Sequence, residues 1–190
     1  MGRYGAEKPG MALVSLTKEH DVGLQAFLSE FDAADEGIPA YFAPRDWKID
    51  QIIAQHQREE RGEERPIPSS TRFLVEDGTL LGVVNVRHRL NDKLRRFGGH
   101  VGYSVRPSAR GRGHATAMLR HALELLRGLG EPKTLLTCAE DNHASAAVIH
   151  KCGGAEFERE FLEEHDHVVR RFWIEFGRRR ADPSPATGLS

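Results

Sequence analysis

Apolar residues follow two different spacings along the chain, which predict strands and helices in turn. Residues 11–16, "MALVSL", have the short β-rich composition of a strand. Segment 19–37 has an apolar stripe at helical spacing, formed by Val22, Leu24, Phe27, Leu28 and Phe31. Segment 45–65 begins apolar and becomes highly charged, which predicts a second, mostly exposed helix. Its apolar positions are Trp47, Ile49, Ile52 and Ile53.

Most of the predicted strands lie after residue 70. Two β-rich runs in segment 71–88 flank Asp77-Gly78, a dipeptide typical of tight hairpin turns. The pattern then predicts a loop at 89–99, a strand at 100–105, a helix ending near Gly128, a strand at 133–138, a short helix within 145–154 and a closing hairpin at 155–176. Runs of strands with helices between them indicate a mixed α/β sheet.

Length and composition favour one globular domain. At 190 residues the chain has room for one well-packed core, which we expect at 11–177, with flexible tails at 1–10 and 178–190. The formal net charge of -1 gives no general attraction to nucleic acid or membrane, and we expect neither as a partner. Two cysteines cannot form a disulfide framework, and the N-terminus lacks a signal-peptide pattern, so we expect a cytoplasmic protein.

A glycine- and arginine-rich stretch precedes the strongest predicted helix. In "VRPSARGRGHATAMLRHAL", residues 105–123, two glycines stand directly before the helical pattern. Glycine permits close approach to the backbone, and the first turn of a helix offers unpaired N–H groups, so the stretch predicts a site for an anion such as phosphate. It contains neither the P-loop nor the G-x-G-x-x-G pattern.

Two motifs carry a family resemblance. Arg110-x-x-Gly113-x-Ala115, after a strand and "VRP", resembles the pyrophosphate-binding motif of the GNAT superfamily of N-acetyltransferases. "CAEDNHASAAVIHKCGG" is similar to that family's Asn-containing strand end, short helix and terminal glycine, so the resemblance spans about 99–154. It implies an α/β fold with a mixed, mostly antiparallel central sheet flanked by helices.

The resemblance also implies roles for individual residues. Backbone N–H groups from Arg110 to Ala115 would hold the pyrophosphate of acetyl-CoA, and the N–H of Val105 would donate to the thioester carbonyl. Asn142 would contact the pantetheine arm, although a helix cap explains the same residue. The predicted cofactor-binding residues are Val105, Arg110, Gly111, Arg112, Gly113, His114, Ala115, Asn142 and Ser145.

The proton-transfer residues are less defined. An amine must lose a proton before it attacks, and His100 is our first candidate base because it begins the strand that leads to Val105. His88 and the acidic 163–167 loop are the alternatives. The family's usual acid is a tyrosine where this chain has Ile149, so the acid is left open among Ser145, Tyr103, water and the attacking amine.

We therefore expect acetyl transfer from acetyl-CoA, as cosubstrate, to a primary amine by direct attack in a ternary complex. Cys138 and Cys152 have the surroundings of inert thiols, and "HDH" at 165–167 lacks a third ligand, so neither a cysteine nucleophile nor a metal is expected. The acceptor is a small-molecule amine or a peptide, and a homodimer is left open. The alternatives are another acyl group, a protein amine, or a non-catalytic acyl-CoA sensor.

Overall fold

The computed structural model describes residues 10–37 and 46–177. The tails predicted at 1–10 and 178–190 lie outside these ranges, apart from Gly10. In chain order the elements are β1 Met11–Val14, α1 Asp21–Ala33, α2 Ile49–Arg61, β2 Ser69–Glu76, β3 Thr79–Arg87, α3 Asp92–Arg96, β4 Val101–Val105, α4 His114–Gly128, β5 Lys133–Ala139, α5 His143–Lys151, β6 Ala155–Leu162 and β7 His167–Glu175. None of the helices in the described ranges has the length and apolar character needed to cross a membrane.

The strands form two antiparallel sheets, ordered β1-β2-β3-β4 and β5-β7-β6. The predicted hairpin at Asp77-Gly78 is confirmed, and both residues adopt positive φ angles (48° and 77°), as a tight turn between twisted strands requires. The predicted closing hairpin is β6 and β7, with β7 lying between β5 and β6. The predicted α/β fold, with largely antiparallel strands flanked by helices, is confirmed, but the expected single sheet is divided between β4 and β5.

Helices cover both faces of the first sheet because its strands alternate apolar side chains between the faces. On β3, Val84 and Val86 belong to a core shared with α4 and α5. Val83, which directly precedes Val84 and therefore points to the other face, belongs to a second core shared with α1 and α2. Each face of the sheet is therefore buried under its own pair of helices.

Three sequence predictions need correction. Val22 is 84% exposed, so the buried stripe of α1 consists of Leu24, Phe27, Leu28 and Phe31. The predicted 89–99 loop contains α3, capped by the side chain of Asn91. Helix α2 is less exposed than predicted, since Glu59 is buried where Gln55 and Arg65 pair with its carboxylate.

His100 joins the two sheets. Its backbone N–H donates to the Leu135 carbonyl at 2.8 Å, and the Leu135 N–H donates to its ring Nδ1 at 2.9 Å. The side chain is 2% exposed, and burial lowers the pKa of His100 to about 4 although Glu131 Oε2 lies 3.6 Å from Nε2. Because Nδ1 accepts a hydrogen bond, the ring is held in its neutral form with any ring proton on Nε2.

This tie predicts a specific pH dependence of stability. An unfolded histidine titrates near pH 6.5, so between pH 6.5 and about 4 the unfolded chain binds more protons at His100 and stability falls as the pH is lowered. From pH 7 to pH 5 the loss should be about 2 kcal/mol. His100→Asn offers Oδ1 as acceptor to the Leu135 N–H but cannot titrate, so its free energy of unfolding, measured with urea, should lack this component. Equal pH dependence in both proteins would contradict the buried, neutral assignment.

Candidate active site

A gap separates β4 from β5 beyond His100. The Arg106 N–H donates to the Leu81 carbonyl, and the Arg87 N–H donates to the His100 carbonyl. These two bonds show which residues of β4 direct their backbone groups toward β3. In an antiparallel pair the residues between such bonded positions direct their backbone groups away from the partner. The N–H groups of Tyr103 and Val105 therefore face the gap. Residues 102–105 are half-exposed although they lie in the middle of the fold.

A glycine loop closes one end of this gap. Gly111 and Gly113 have φ angles of 75° and 87°, and a Cβ built on either would meet no atom within 4 Å. The N–H groups of residues 111–113 bond to no other backbone group in the described ranges. Helix α4 follows directly, with its first-turn N–H groups pointing back to the loop. The loop is therefore an open cradle of backbone donors at a positive helix end.

The charged side chains of the loop differ in their surroundings. Arg110 forms a bidentate ion pair with Glu36 at 2.6 and 2.5 Å, and its Nε donates to the Val105 carbonyl at 3.1 Å. Arg112 is exposed, and no ion pair to it occurs among the described residues. The His114 side chain is buried, so only its backbone faces the loop. Of the two arginines predicted to add charge, Arg112 has the uncommitted guanidinium and Arg110 anchors the loop to the residues after α1.

A second acidic residue fixes the start of the loop. Glu30 on α1 accepts hydrogen bonds from the Arg106 guanidinium and from both the N–H and hydroxyl of Ser108, at 3.1 and 3.0 Å. These contacts, with those from Arg106 largest, lower the pKa of Glu30 to about 2. Neither Glu30 nor Glu36 was among the site residues predicted from the sequence. Acidic residues at a helix C-terminus are unfavourable with the helix dipole, and that anomaly could have indicated cationic partners.

The Asn142 and Ser145 predicted for the cofactor lie at the start of α5. The Ser145 N–H donates to Asn142 Oδ1 at 2.9 Å, so Asn142 is a helix N-cap. The cap uses the oxygen of the amide and leaves its Nδ2 donors directed elsewhere. Across the gap, the Tyr103 hydroxyl lies 2.9 Å from Ser145 Oγ. Position 149 cannot supply an acid, because Ile149 is fully buried in the core.

The candidate bases lie away from these groups. His100 precedes β4 and Val105 ends it, so five extended residues separate them by roughly 16 Å. His88 lies at the same end as His100, where Ser70 Oγ is 2.8 Å from its Nε2 and burial lowers the pKa of His88. The 163–167 loop joins β6 to β7 in the other sheet. The roles of all three stay predictions, and the position of His100 favours a structural tie.

Thiols and metal ligands add little chemistry to the site. Burial raises the pKa of both Cys138 and Cys152, which keeps their thiols protonated and weakly nucleophilic. In the part of the chain that the structure describes, no three side chains of His, Cys, Asp or Glu converge as metal ligands.

Comparison with known proteins places these features in a family. The profile of the "Acetyltransferase (GNAT) family" matches residues 38–154, which include the gap, the glycine loop and α5. No curated protein sequence matches the chain.

Solved structures share the fold. The yncA protein of Salmonella typhimurium, determined with acetyl-CoA, is 16% identical over 92% of this chain and 99% of its own, with a TM-score of 0.60. The microcin C7 self-immunity acetyltransferase MccE, in complex with acetyl-CoA and AMP, is 15% identical over 89% and 94%, with a TM-score of 0.66. A Salmonella typhimurium acetyltransferase that modifies the N-terminal serine of ribosomal protein L7/L12 is 14% identical over 90% and 97%, with a TM-score of 0.64.

The strand β4, the glycine loop before α4 and the capped α5 thus occur in the order that the sequence motifs predicted, within the region that the family profile matches. The chain belongs to the acetyltransferase (GNAT) family.

Proposed function

We propose that this protein transfers the acetyl group of acetyl-CoA to a primary amine by direct attack in a ternary complex. The observation that carries the proposal is the open gap between β4 and β5, where backbone N–H donors of Val105 and of the glycine loop have no partner among residues 10–37 and 46–177. Unpaired backbone donors favour a ligand that supplies acceptors, and a pyrophosphate with a thioester carbonyl supplies them at both positions.

The residues around the gap fit acetyl-CoA. The pyrophosphate would take the N–H groups of 111–115 with Arg112 beside them, and Val105 would donate to the thioester carbonyl. The Nδ2 of Asn142 is the donor for the pantetheine arm, since its oxygen already caps α5. When bound, acetyl-CoA supplies an activated acyl group. Neither protonated thiol offers a competing nucleophile, which supports direct attack by the amine.

The acceptor would approach from the α1–α2 face. The opposite face, with the Tyr103 and Val105 side chains, packs against the core under α4 and α5. On the α1–α2 face, Gly102 lies opposite Asn85, whose buried amide donates to the Ser69 and Thr71 hydroxyls at 3.2 and 3.0 Å. This polar floor suits an amine-bearing group. MccE is a self-immunity acetyltransferase, whereas the L7/L12-modifying enzyme modifies the N-terminal serine of a ribosomal protein. Both a small-molecule amine and a peptide amine therefore stay open as the acceptor of this chain.

A non-catalytic acyl-CoA sensor is the second candidate, favoured by the buried Ile149 where an acid is expected.

A cytoplasmic location and a homodimer stay predictions. The role of His100 as base also stays a prediction. Because its pKa is about 4, His100 is already deprotonated near pH 6.5, so a reaction that uses it as base should have a rate independent of pH there.

Release of free thiol separates the two candidates. We expect acetyl-CoA turnover with at least one member of a panel of primary amines and peptides with free N-termini, followed with a thiol reagent. The product should carry the acetyl group on nitrogen by mass spectrometry. Tight acetyl-CoA binding with no turnover across the panel would favour the sensor, and no binding would contradict both.

The glycine loop can be tested with a matched pair of substitutions. Gly113 and Gly130 share a φ of 87°, and a Cβ on either meets no neighbour within 4 Å. Gly113→Val and Gly130→Val should therefore lose similar stability, about 1–2 kcal/mol from the left-handed backbone. Only Gly113→Val should weaken acetyl-CoA binding, by roughly tenfold or more in calorimetry, because hydrogen bonds to a charged group are lost. Equal affinities of the two folded variants would exclude this loop as the pyrophosphate site.

A further inference from the structure

Tyr103 is a polar group at the gap to which the proposed reaction assigns no role. Its side chain projects from β4 on the same face as that of Val105, two residues and roughly 6.6 Å along the strand. The hydroxyl lies 2.9 Å from Ser145 Oγ and 3.4 Å from the Ser145 carbonyl, so the side chain crosses from β4 to the first turn of α5.

This crossing lies between the two groups proposed to hold acetyl-CoA. Asn142 caps the same turn of α5 that Tyr103 reaches, and Val105 ends the strand from which Tyr103 projects. A pantetheine arm that runs from Asn142 to Val105 would pass the Tyr103 hydroxyl before its thioester. Position 149, where the family's usual acid is expected, holds the apolar and fully buried Ile149 and offers no donor.

We propose that the Tyr103 hydroxyl donates a hydrogen bond to the thioester sulfur as the carbon–sulfur bond breaks, with Ser145 as its positioning residue. The inference rests on the proposed binding of acetyl-CoA in the gap. Either hydroxyl of the Tyr103–Ser145 pair can be the donor. With the Ser145 hydroxyl donating to the Tyr103 oxygen, the phenolic hydrogen is engaged only in the long contact with the Ser145 carbonyl at 3.4 Å and can turn to the sulfur.

The step balances without another reactant. The amine nitrogen forms a bond to the acetyl carbon, the carbon–sulfur bond breaks, and its electron pair goes to sulfur. The proton that nitrogen loses ends on sulfur, so the products are the amide and free coenzyme A. Burial raises the pKa of Tyr103 to about 12, far above that of an ordinary thiol at about 8.5, so Tyr103 keeps its proton and stabilises the developing thiolate.

Coenzyme A itself provides a test that needs no acceptor. If Tyr103 donates to sulfur, it lowers the pKa of the bound coenzyme A thiol, which can be titrated by the ultraviolet absorption of the thiolate. In Tyr103→Phe that pKa should rise by roughly 1–2 pH units, the equivalent of one hydrogen bond to a charged group. Ser145→Ala should raise it by less, because the donor remains but is less well oriented.

Thr134→Val is the matched control, since the buried Thr134 hydroxyl on β5 has no hydrogen-bond partner among the residues that the structure describes. It should leave the thiol pKa unchanged. Thermal melting establishes whether each variant is folded. If Tyr103→Phe does not fold, the thiol pKa of coenzyme A bound to Ser145→Ala decides: an increase supports the inference, and an unchanged value contradicts it. Once an acceptor is known, Tyr103→Phe should lose roughly tenfold to a hundredfold in kcat with little change in KM for acetyl-CoA.

Two results would overturn the inference, and they are distinguishable. If coenzyme A binds to folded Tyr103→Phe with the wild-type thiol pKa, Tyr103 is only a tie between β4 and α5, while the proposed function stands. If wild-type protein does not bind coenzyme A, the proposed function fails and takes this inference with it.

Discussion

Backbone hydrogen bonding is the constraint on which the structure depends. A buried N–H group must find a partner, and β4 satisfies only its β3-facing groups within the first sheet. At His100 the two sheets are joined, but from Tyr103 to Val105 the other edge of β4 faces a gap. The fold thus leaves donors directed to one cleft, and the glycine loop adds more at its end. We propose that acetyl-CoA binds by accepting hydrogen bonds from these backbone N–H groups, which folding leaves without acceptors among the described residues.

Ion pairs from α1 and from the residues that follow it fix the position of the loop at the end of the cleft. Glu30 binds Arg106 and Ser108, and Glu36 binds Arg110, so the loop between β4 and α4 is fixed from the α1 side. Both carboxylates have lowered pKa values because of these arginines, so both pairs persist at neutral pH. The helix on the proposed acceptor side and the proposed cofactor loop are consequently connected. Because Arg110 is paired with Glu36, Arg112 is the arginine of the loop that has no ion-pair partner in the described part of the chain.

Local sequence patterns predicted most of the elements because their causes are local. The Asp77-Gly78 turn, the glycines before α4 and the stripe of α1 from Leu24 to Phe31 depend on near neighbours. The contact between His100 and Leu135 joins residues 35 positions apart, and the contact between Glu30 and Ser108 joins residues 78 positions apart. Periodicity encodes neither these contacts nor the break between β4 and β5. For the same reason His100 resembled a base in sequence, whereas its burial against Leu135 favours a structural role.

Amide hydrogen exchange with and without acetyl-CoA tests the central claim most directly. Acetyl-CoA should slow exchange at Gly111, Arg112, Gly113 and Ala115 and at Val105, because these N–H groups gain acceptors. Exchange at residues that already pair within the β6–β7 hairpin should not change. Unchanged exchange at the loop and at Val105 with acetyl-CoA bound, or protection confined to other segments, would contradict the claim that the open backbone donors form the binding site.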